Sequence, residues 1–291
     1  MTAPTVLLTG GAGQLAQAAR PAFERQGWTV VAHDIDELDI RDRDAVFAAL
    51  SALRPRAVLN CAAIRDADLC EVDVDNAWAT NDTAVHTLAD ACAEVDAHLT
   101  TISSDYVFDG RHDVPYVETD EAHPLSVYGE TKLASEAVAQ QGFTAVRTAW
   151  LAGRLGANTI KTMLRLADDP ERQMAFVDDQ RGSPTVAEDL ASVLVRLTAE
   201  RRAGVYHVTN SGEASWYELA CHVLDSAGHD PARMGRIATD ELDPPRAATR
   251  PAYSVLDNAA LRRDGIPALP DWRDAVAELV RDLVADGGYL R

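Results

Sequence analysis

Short apolar runs alternate with amphipathic stretches through the first half of the chain. Thr5-Val6-Leu7-Leu8-Thr9 is an apolar, β-rich run that ends in Gly10-Gly11-Ala12-Gly13. A helical pattern follows over 14–26, closed by Gly27. Residues 29–33 predict a second strand ending at Asp34, and Asp42 caps a helix reaching Leu53. Pro55 then breaks the chain before the strand Ala57-Val58-Leu59-Asn60. A long helix is expected over 76–95, a strand over 98–103, a helix over 127–140 and a strand over 144–147. Strands and helices alternating at this pace predict right-handed βαβ units and a parallel sheet covered on both faces.

After Trp150 the rhythm changes. Helical patterns over 158–166, 186–199, 216–227 and 274–285 are separated by short runs such as Val205-Tyr206-His207-Val208 and by a Pro- and Arg-bearing loop over 243–251. The expected fold is α/β: a doubly wound parallel sheet (Rossmann) with a smaller C-terminal α/β substrate lobe. Residues 1–150 form the dinucleotide-binding domain and 151–291 are mainly the substrate lobe, with later segments free to cross back. In doubly wound sheets ligands bind at the carboxyl edge.

Composition narrows the partners. An apolar fraction of 47% in 291 residues is ample for a sizeable core. A net charge of -19 argues against a nucleic-acid binder, which needs a basic face, and against docking on an anionic membrane. Cys61, Cys70, Cys92 and Cys221 show neither a CxxC pair nor zinc-ligand spacing, and Cys61 and Cys92 read as buried thiols. No apolar run reaches the ~18 residues of a membrane span, and no basic region with a following apolar run opens the chain. A cytoplasmic protein is expected.

Three features carry chemistry. Gly10-x-x-Gly13-x-x-Ala16 follows a strand and opens a helix, a turn that lets backbone approach a pyrophosphate at a helix N-terminus. Asp34, at the end of the second strand, can accept the adenosine ribose hydroxyls. His33-Asp34-Ile35-Asp36-Glu37 places three acids where a 2′-phosphate would lie, with no cation before Arg41, so NADH is expected in preference to NADPH. Asp39 and Ile40 flank the adenine in this reading, and the small residues of Asn60-Cys61-Ala62-Ala63 suit close passage of a ribose.

The third feature is Ser104 at a strand end with Tyr128 and Lys132 four residues apart on one helix face. A phenol made acidic by a neighbouring ammonium is a proton donor or acceptor near neutral pH. Asp105, Tyr106 and Trp150 follow strand ends at the same edge and are candidates to line a substrate pocket. Arg246 and Arg250 could reach a diphosphate from the second lobe or form surface ion pairs. The loop Asp178-Asp179-Gln180-Arg181-Gly182-Ser183-Pro184-Thr185 reads as an ordinary turn with Thr185 as cap, and no metal is proposed.

Together these residues resemble the extended short-chain dehydrogenases/reductases, and within them the dTDP-4-dehydrorhamnose reductase family. The marks are Gly10 to Leu15, Leu38-Asp39-Ile40, Asn60 to Ala63, Ser103 to Gly110, Tyr128 to Leu133, Arg147 to Trp150, Asp179 to Thr185 and Arg250-Pro251, spread over nearly the whole chain. The resemblance implies that Tyr128 donates a proton to a C4 keto oxygen while a nicotinamide delivers hydride to C4. Lys132 would hold the nicotinamide ribose, and Ser104, where the family usually has Thr, would bond the same keto oxygen. Asp105, Tyr106, Trp150 and Arg250 are then substrate contacts, and Gln14, Leu15, Asp39, Ile40, Ala62 and Ala63 line the cofactor.

Ile64-Arg65-Asp66-Ala67-Asp68 departs from the family pattern, and Arg65 together with Ser103-Ser104-Asp105 resembles instead the regulatory β subunit of methionine adenosyltransferase, an NADP-binding partner subunit. The competing expectations are therefore another nucleotide deoxysugar as substrate, or a non-catalytic cofactor-binding subunit. The family's magnesium-linked dimer uses acidic residues on the first helix. Here that helix reads Ala16-Gln17-Ala18-Ala19-Arg20, so the expectation is a monomer or a homodimer without metal.

Overall fold

The structure, a computed structural model, describes residues 3–169 and 171–290. The first half runs β1 (Thr5–Thr9), α1 (Gln14–Arg25), β2 (Thr29–His33), α2 (Arg43–Leu53), β3 (Ala57–Asn60), α3 (Ala67–Val72), α4 (Val74–Trp78), α5 (Ala84–Glu94), β4 (His98–Ser104), α6 (Val127–Ser135) and β5 (Thr144–Thr148). The second half adds β6 (Leu151–Ala152), α7 (Thr159–Ala167), β7 (Met174–Val177), β8 (Arg181–Gly182), β9 (Thr185–Val186), α8 (Ala187–Ala199) and β10 (Gly204–His207). It ends with β11 (Ala214–Ser215), α9 (Trp216–Ser226), β12 (Met234–Ile237), α10 (Ala259–Arg263) and α11 (Trp272–Ala285).

Six parallel strands form the main sheet in the order β10-β5-β4-β3-β1-β2. Their inner runs are apolar on both faces, as a sheet covered twice requires. Phe23 of α1 and Leu190 and Leu194 of α8 pack over one face, while Leu50 of α2 and Leu88 of α5 pack over the other. A separate core around Met163, Leu224, Trp272 and Val280 holds the second lobe together.

Several expectations shift. The run at 205–208 is not part of the second lobe: β10 pairs with β5 and extends the main sheet. The long helix expected over 76–95 begins earlier, at Val74, and is interrupted by a π-helical turn at Ala79–Thr83; α3 precedes it. The helix over 127–140 is α-helical to Ser135 and tightens to 3₁₀ geometry over Glu136–Gln141. Thr185 does not cap α8. Its hydroxyl donates to the Ser183 carbonyl, and the Val186 N–H at the helix entry is bonded instead by Asn210 Oδ1 at 2.8 Å. Cys92 is buried as expected, but Cys61 is only partly so and borders the cleft.

Candidate active site

A cleft of about 1090 Å³ opens along the carboxyl edge of the main sheet, between it and the second lobe. Gly10, Gly13, Gln14, Leu15, Asp34, Asp39, Ile40, Ala62, Ala63, Ser104, Asp105, Tyr106, Tyr128, Lys132, Trp150 and Arg250 all line it. The reason is topological: β1, β2, β3, β4 and β5 run parallel, so every loop or helix start that follows them emerges at one edge.

At one end lies the glycine turn. Gly10 adopts φ +62°, and a Cβ there would fall 2.8 Å from the Ala62 N, so only glycine lets β1 and β3 end so close together. Gly13 is the N-cap of α1, whose first turn carries no acidic residue, leaving the helix N-terminus favourable to an anion. Asp34 braces this turn: its carboxylate accepts from Ala12 N at 3.1 Å and from Ile35 N at 2.9 Å. Asp39 and Arg41 form a fork, with Arg41 also donating to Asn76 Oδ1 at 2.8 Å. Arg41 lines the same end of the cleft, so the acidic stretch read in the sequence has a cation folded back beside it. Ile40 belongs mainly to the core under α2, and Gln14 bridges the lobes by donating to the Leu151 carbonyl.

The central constellation depends on α6 pressing onto the 3₁₀ turn Asp105–Val107 that follows β4. Gly129 makes this contact: a Cβ there would lie 2.2 Å from the Tyr106 carbonyl oxygen. Tyr128 thereby meets Tyr106 edge to face at 5.7 Å and hydrogen-bonds Ser104. Lys132, on the same helix face, is buried. Burial pushes the Tyr128 phenol well above its ordinary range, with the Ser104 hydrogen bond acting against it. Burial also pushes Lys132 down to about 8, opposed by Glu136 four residues on. The acidification of the phenol by the ammonium, expected from the sequence, is therefore not the dominant effect on Tyr128. Desolvation outweighs the attraction there and holds both groups toward their neutral forms.

Around this centre the proposed substrate contacts fall into two groups. Asp105 and Arg250 are already engaged by protein. Asp105 is buried with both oxygens hydrogen-bonded to serines, and burial pushes its carboxyl up to about 6 against those bonds. Arg250 forms a fork with Asp68 at 2.8 and 3.1 Å and bonds Tyr106. That pairing holds the Asp68 carboxyl down to about 2. Arg246 reaches Asp68 only at 3.5 Å. Trp150, by contrast, presents a broad apolar face: it takes φ +45° and stacks on Trp216 at 3.8 Å. Arg65 is exposed at the cleft and donates weakly to the Ala157 carbonyl.

Four residues were missed from sequence. Asn81, fully buried in the π-helical turn, bonds both the N–H and the carbonyl of Ile64 and also Thr131 of α6. Its signal was Asn81-Asp82-Thr83, three weak helix formers in mid-helix. Glu136 forms a buried pair with Arg147 at 2.7 Å and accepts from Ser103 at 2.5 Å. Asp68 and Ser254 owe their places to partners across the fold, so nothing local marks them. Among the described residues no group of three or more His, Cys, Asp or Glu could hold a metal ion. None of the described helices is long and apolar enough to cross a membrane.

The glycine cradle, the uncrowded start of α1 and a buried Tyr–Lys pair fit a nicotinamide dinucleotide lying along the sheet edge. A doubly wound sheet with such an edge defines the class: a nucleotide-dependent oxidoreductase of the short-chain dehydrogenase/reductase type. Within that class the chain belongs to the family of the RmlD substrate binding domain, whose model matches residues 4–285. It is 40% identical to a dTDP-4-dehydrorhamnose reductase of Streptomyces griseus, covering 94% of this chain and 92% of that one. It is 36% identical to a dTDP-4-keto-6-deoxy-D-glucose reductase of Streptomyces niveus, covering 96% and 98%. The crystal structure of a Bacillus anthracis dTDP-4-dehydrorhamnose reductase in complex with NADP superposes with TM-score 0.92 at 31% identity, covering 96% of this chain and 99% of that one.

Proposed function

We propose that this protein reduces the C4 keto group of a dTDP-4-keto-6-deoxy sugar, with dTDP-4-dehydrorhamnose as first substrate and dTDP-L-rhamnose as product. The observation that carries this reading is Tyr128, hydrogen-bonded to Ser104 and set beside buried Lys132 in the cleft that the glycine turn closes. The names of the similar reductases supply the substrate class. NADH or NADPH, when bound, supplies the hydride.

The chain's own residues would do the rest. Gly10 and Gly13 let the pyrophosphate reach the N-terminus of α1, with Gln14, Leu15, Asp34, Asp39, Ile40, Ala62 and Ala63 lining the cofactor's path. Lys132 donates to the nicotinamide ribose, a pairing that favours its charged form. Tyr128 gives its phenolic proton to the C4 oxygen, and Ser104 bonds that oxygen or the phenolate left behind. Trp150, stacked on Trp216, gives the sugar a flat apolar wall. Tyr106 and Arg250 would face the sugar nucleotide. The protein acts in the cytoplasm as a monomer or homodimer.

NADH is preferred in this reading because Asp34 occupies the ribose end; Arg41 leaves NADPH usable. The direct test is oxidation of each cofactor with dTDP-4-dehydrorhamnose. Turnover with kcat/KM higher for NADH is expected, and Tyr128→Phe should lose at least about a hundredfold in kcat while still binding cofactor. Retained activity in that variant would remove the mechanism. Equal or better use of NADPH would remove the cofactor preference. A second reading, another 4-keto deoxysugar, is favoured by the near-equal identity to the Streptomyces niveus reductase. It predicts faster reduction of that relative's keto sugar than of dTDP-4-dehydrorhamnose. No turnover with any keto sugar would leave the regulatory-subunit reading.

A further inference from the structure

The carboxyl of Asp105 is enclosed between the reacting phenol and the C-terminal segment, and both of its oxygens are in use. The Ser104 hydroxyl donates to Asp105 Oδ1 at 2.9 Å, and the Ser254 hydroxyl donates to Oδ2 at 2.6 Å. Ser254's other acceptor, the Arg181 carbonyl, lies at 3.5 Å, so Asp105 is the stronger partner. Ser104 Oγ also accepts from Tyr106 N at 3.2 Å and hydrogen-bonds Tyr128. The result is a chain of side chains, Ser254–Asp105–Ser104–Tyr128, joining the C-terminal segment to the phenol.

A serine hydroxyl has one proton to give. While Asp105 is ionised, that proton is committed to Asp105, and Ser104 offers Tyr128 only a lone pair. A protonated Asp105 reverses the chain: it donates to Ser104 Oγ, and Ser104 is then free to donate toward Tyr128. Only the second arrangement stabilises the phenolate that Tyr128 becomes when it gives up its proton.

We propose that Asp105 is a positioning residue, held in place by Ser254, that sets the direction of the Ser104 hydroxyl and so the readiness of Tyr128 to donate. This rests on Tyr128 being the proton donor, and it replaces the expectation that Asp105 touches the sugar. The titratable and charged groups around it are Tyr128 on α6, Tyr106 beside it, and the Arg250–Asp68 pair behind Tyr106. Lys132, further along α6, interacts with Glu136, Cys70 and Cys61. Among the described residues no arginine or lysine pairs with Asp105, so its protonation is governed by burial, the two serines and the backbone N–H groups of Asp105 and Tyr106. Turnover should therefore fall as pH rises through the titration of Asp105.

Carbon-13 NMR of the aspartate carboxyl groups in the cofactor-free protein reads the first half of this chain directly. Asp105 should titrate near 6. Ser254→Ala should move its midpoint up by about one unit, because the lost donor favoured the charged form, and Ser254→Thr should restore it. An unmoved midpoint overturns the coupling. In turnover, Asp105→Asn offers an amide that donates to Ser104 and an oxygen that accepts from Ser254, mimicking the protonated state. It should abolish the fall in kcat with rising pH while leaving KM for the keto sugar unchanged. A raised KM with an unaltered pH profile would make Asp105 a substrate contact and overturn the proposal. If the wild-type protein reduces no keto sugar, the parent reading and the kinetic half fall together, and the NMR titration still decides whether Ser254 controls Asp105.

Discussion

Burial sets Lys132 against the fold that contains it. Its folded-state pKa of about 8 lies below the ordinary 10.5, so the folded protein holds this proton less tightly than the unfolded chain. Below pH 8 both states are charged and the burial cost is present in full. Stability is recovered only as pH rises from about 8 towards 10.5, where both states are neutral. The difference corresponds to about 3 kcal/mol at pH 7. Lys132→Met, which keeps the length of the stem, should therefore raise the urea midpoint at pH 7 while removing turnover, and the gain should shrink by pH 10. A variant less stable than wild type at pH 7 would refute this account of the lysine. A residue that costs stability where it stands is a mark of functional sites. In the pH profile the same group should give kcat/KM a further decline near 8, above the fall set by Asp105, since that ratio reports the free enzyme.

At the scale of elements, the site depends on a defect. The π-helical turn at Ala79–Thr83 places Asn81 where a regular helix would place a side chain elsewhere, and from there it ties the Ile64 loop to Thr131 of α6. Such turns are frequent at functional sites. Asn81→Ala should remove three hydrogen bonds and leave the Ile64 N–H and carbonyl without this partner, costing about 2 to 3 kcal/mol. It should also lower kcat through the looser seating of Tyr128. Thermal unfolding with steady-state kinetics checks both, and an unchanged melting temperature would show that the turn is not held by Asn81. This is also where sequence reading stopped. The strands and helices around the glycine turn were legible because their signals are local: an apolar run, a glycine, a capping Asp42. The π turn was not, because Thr131 lies fifty positions from Asn81 and a single chain gives no sign of that pairing. The two-residue strands β6, β8, β9 and β11 escaped for the same reason: each is defined by a partner some thirty residues or more away. Asp105 and Arg250 were found as residues, but their protein partners Ser254 and Asp68 were not.

At the scale of the whole molecule, the cleft is closed by a join between its two sides. Asp68, from the start of α3 beside the main sheet, takes the Arg250 fork and accepts from Ala248 N at 2.9 Å, pinning the loop over 243–251 to the rim. The Arg250 bond holds the Asp68 carboxyl at about 2, so its contribution is complete above the unfolded value near 4 and is lost only as pH falls towards 2. Neutral pH leaves the join intact. Arg246 lies on the exposed side of the same loop, with a side chain 56% accessible, and offers a tryptic site that opening of the join would release. Asp68→Asn keeps the shape but removes the charge-assisted fork, about 1 to 2 kcal/mol of local closure. Cleavage after Arg246 should then accelerate about tenfold at pH 7.5 while global unfolding in urea moves little, because local opening and global stability are separate quantities. Equal cleavage rates in the two proteins would mean that the loop is held by its other contacts, and that Asp68 serves only to orient Arg250 over Tyr106.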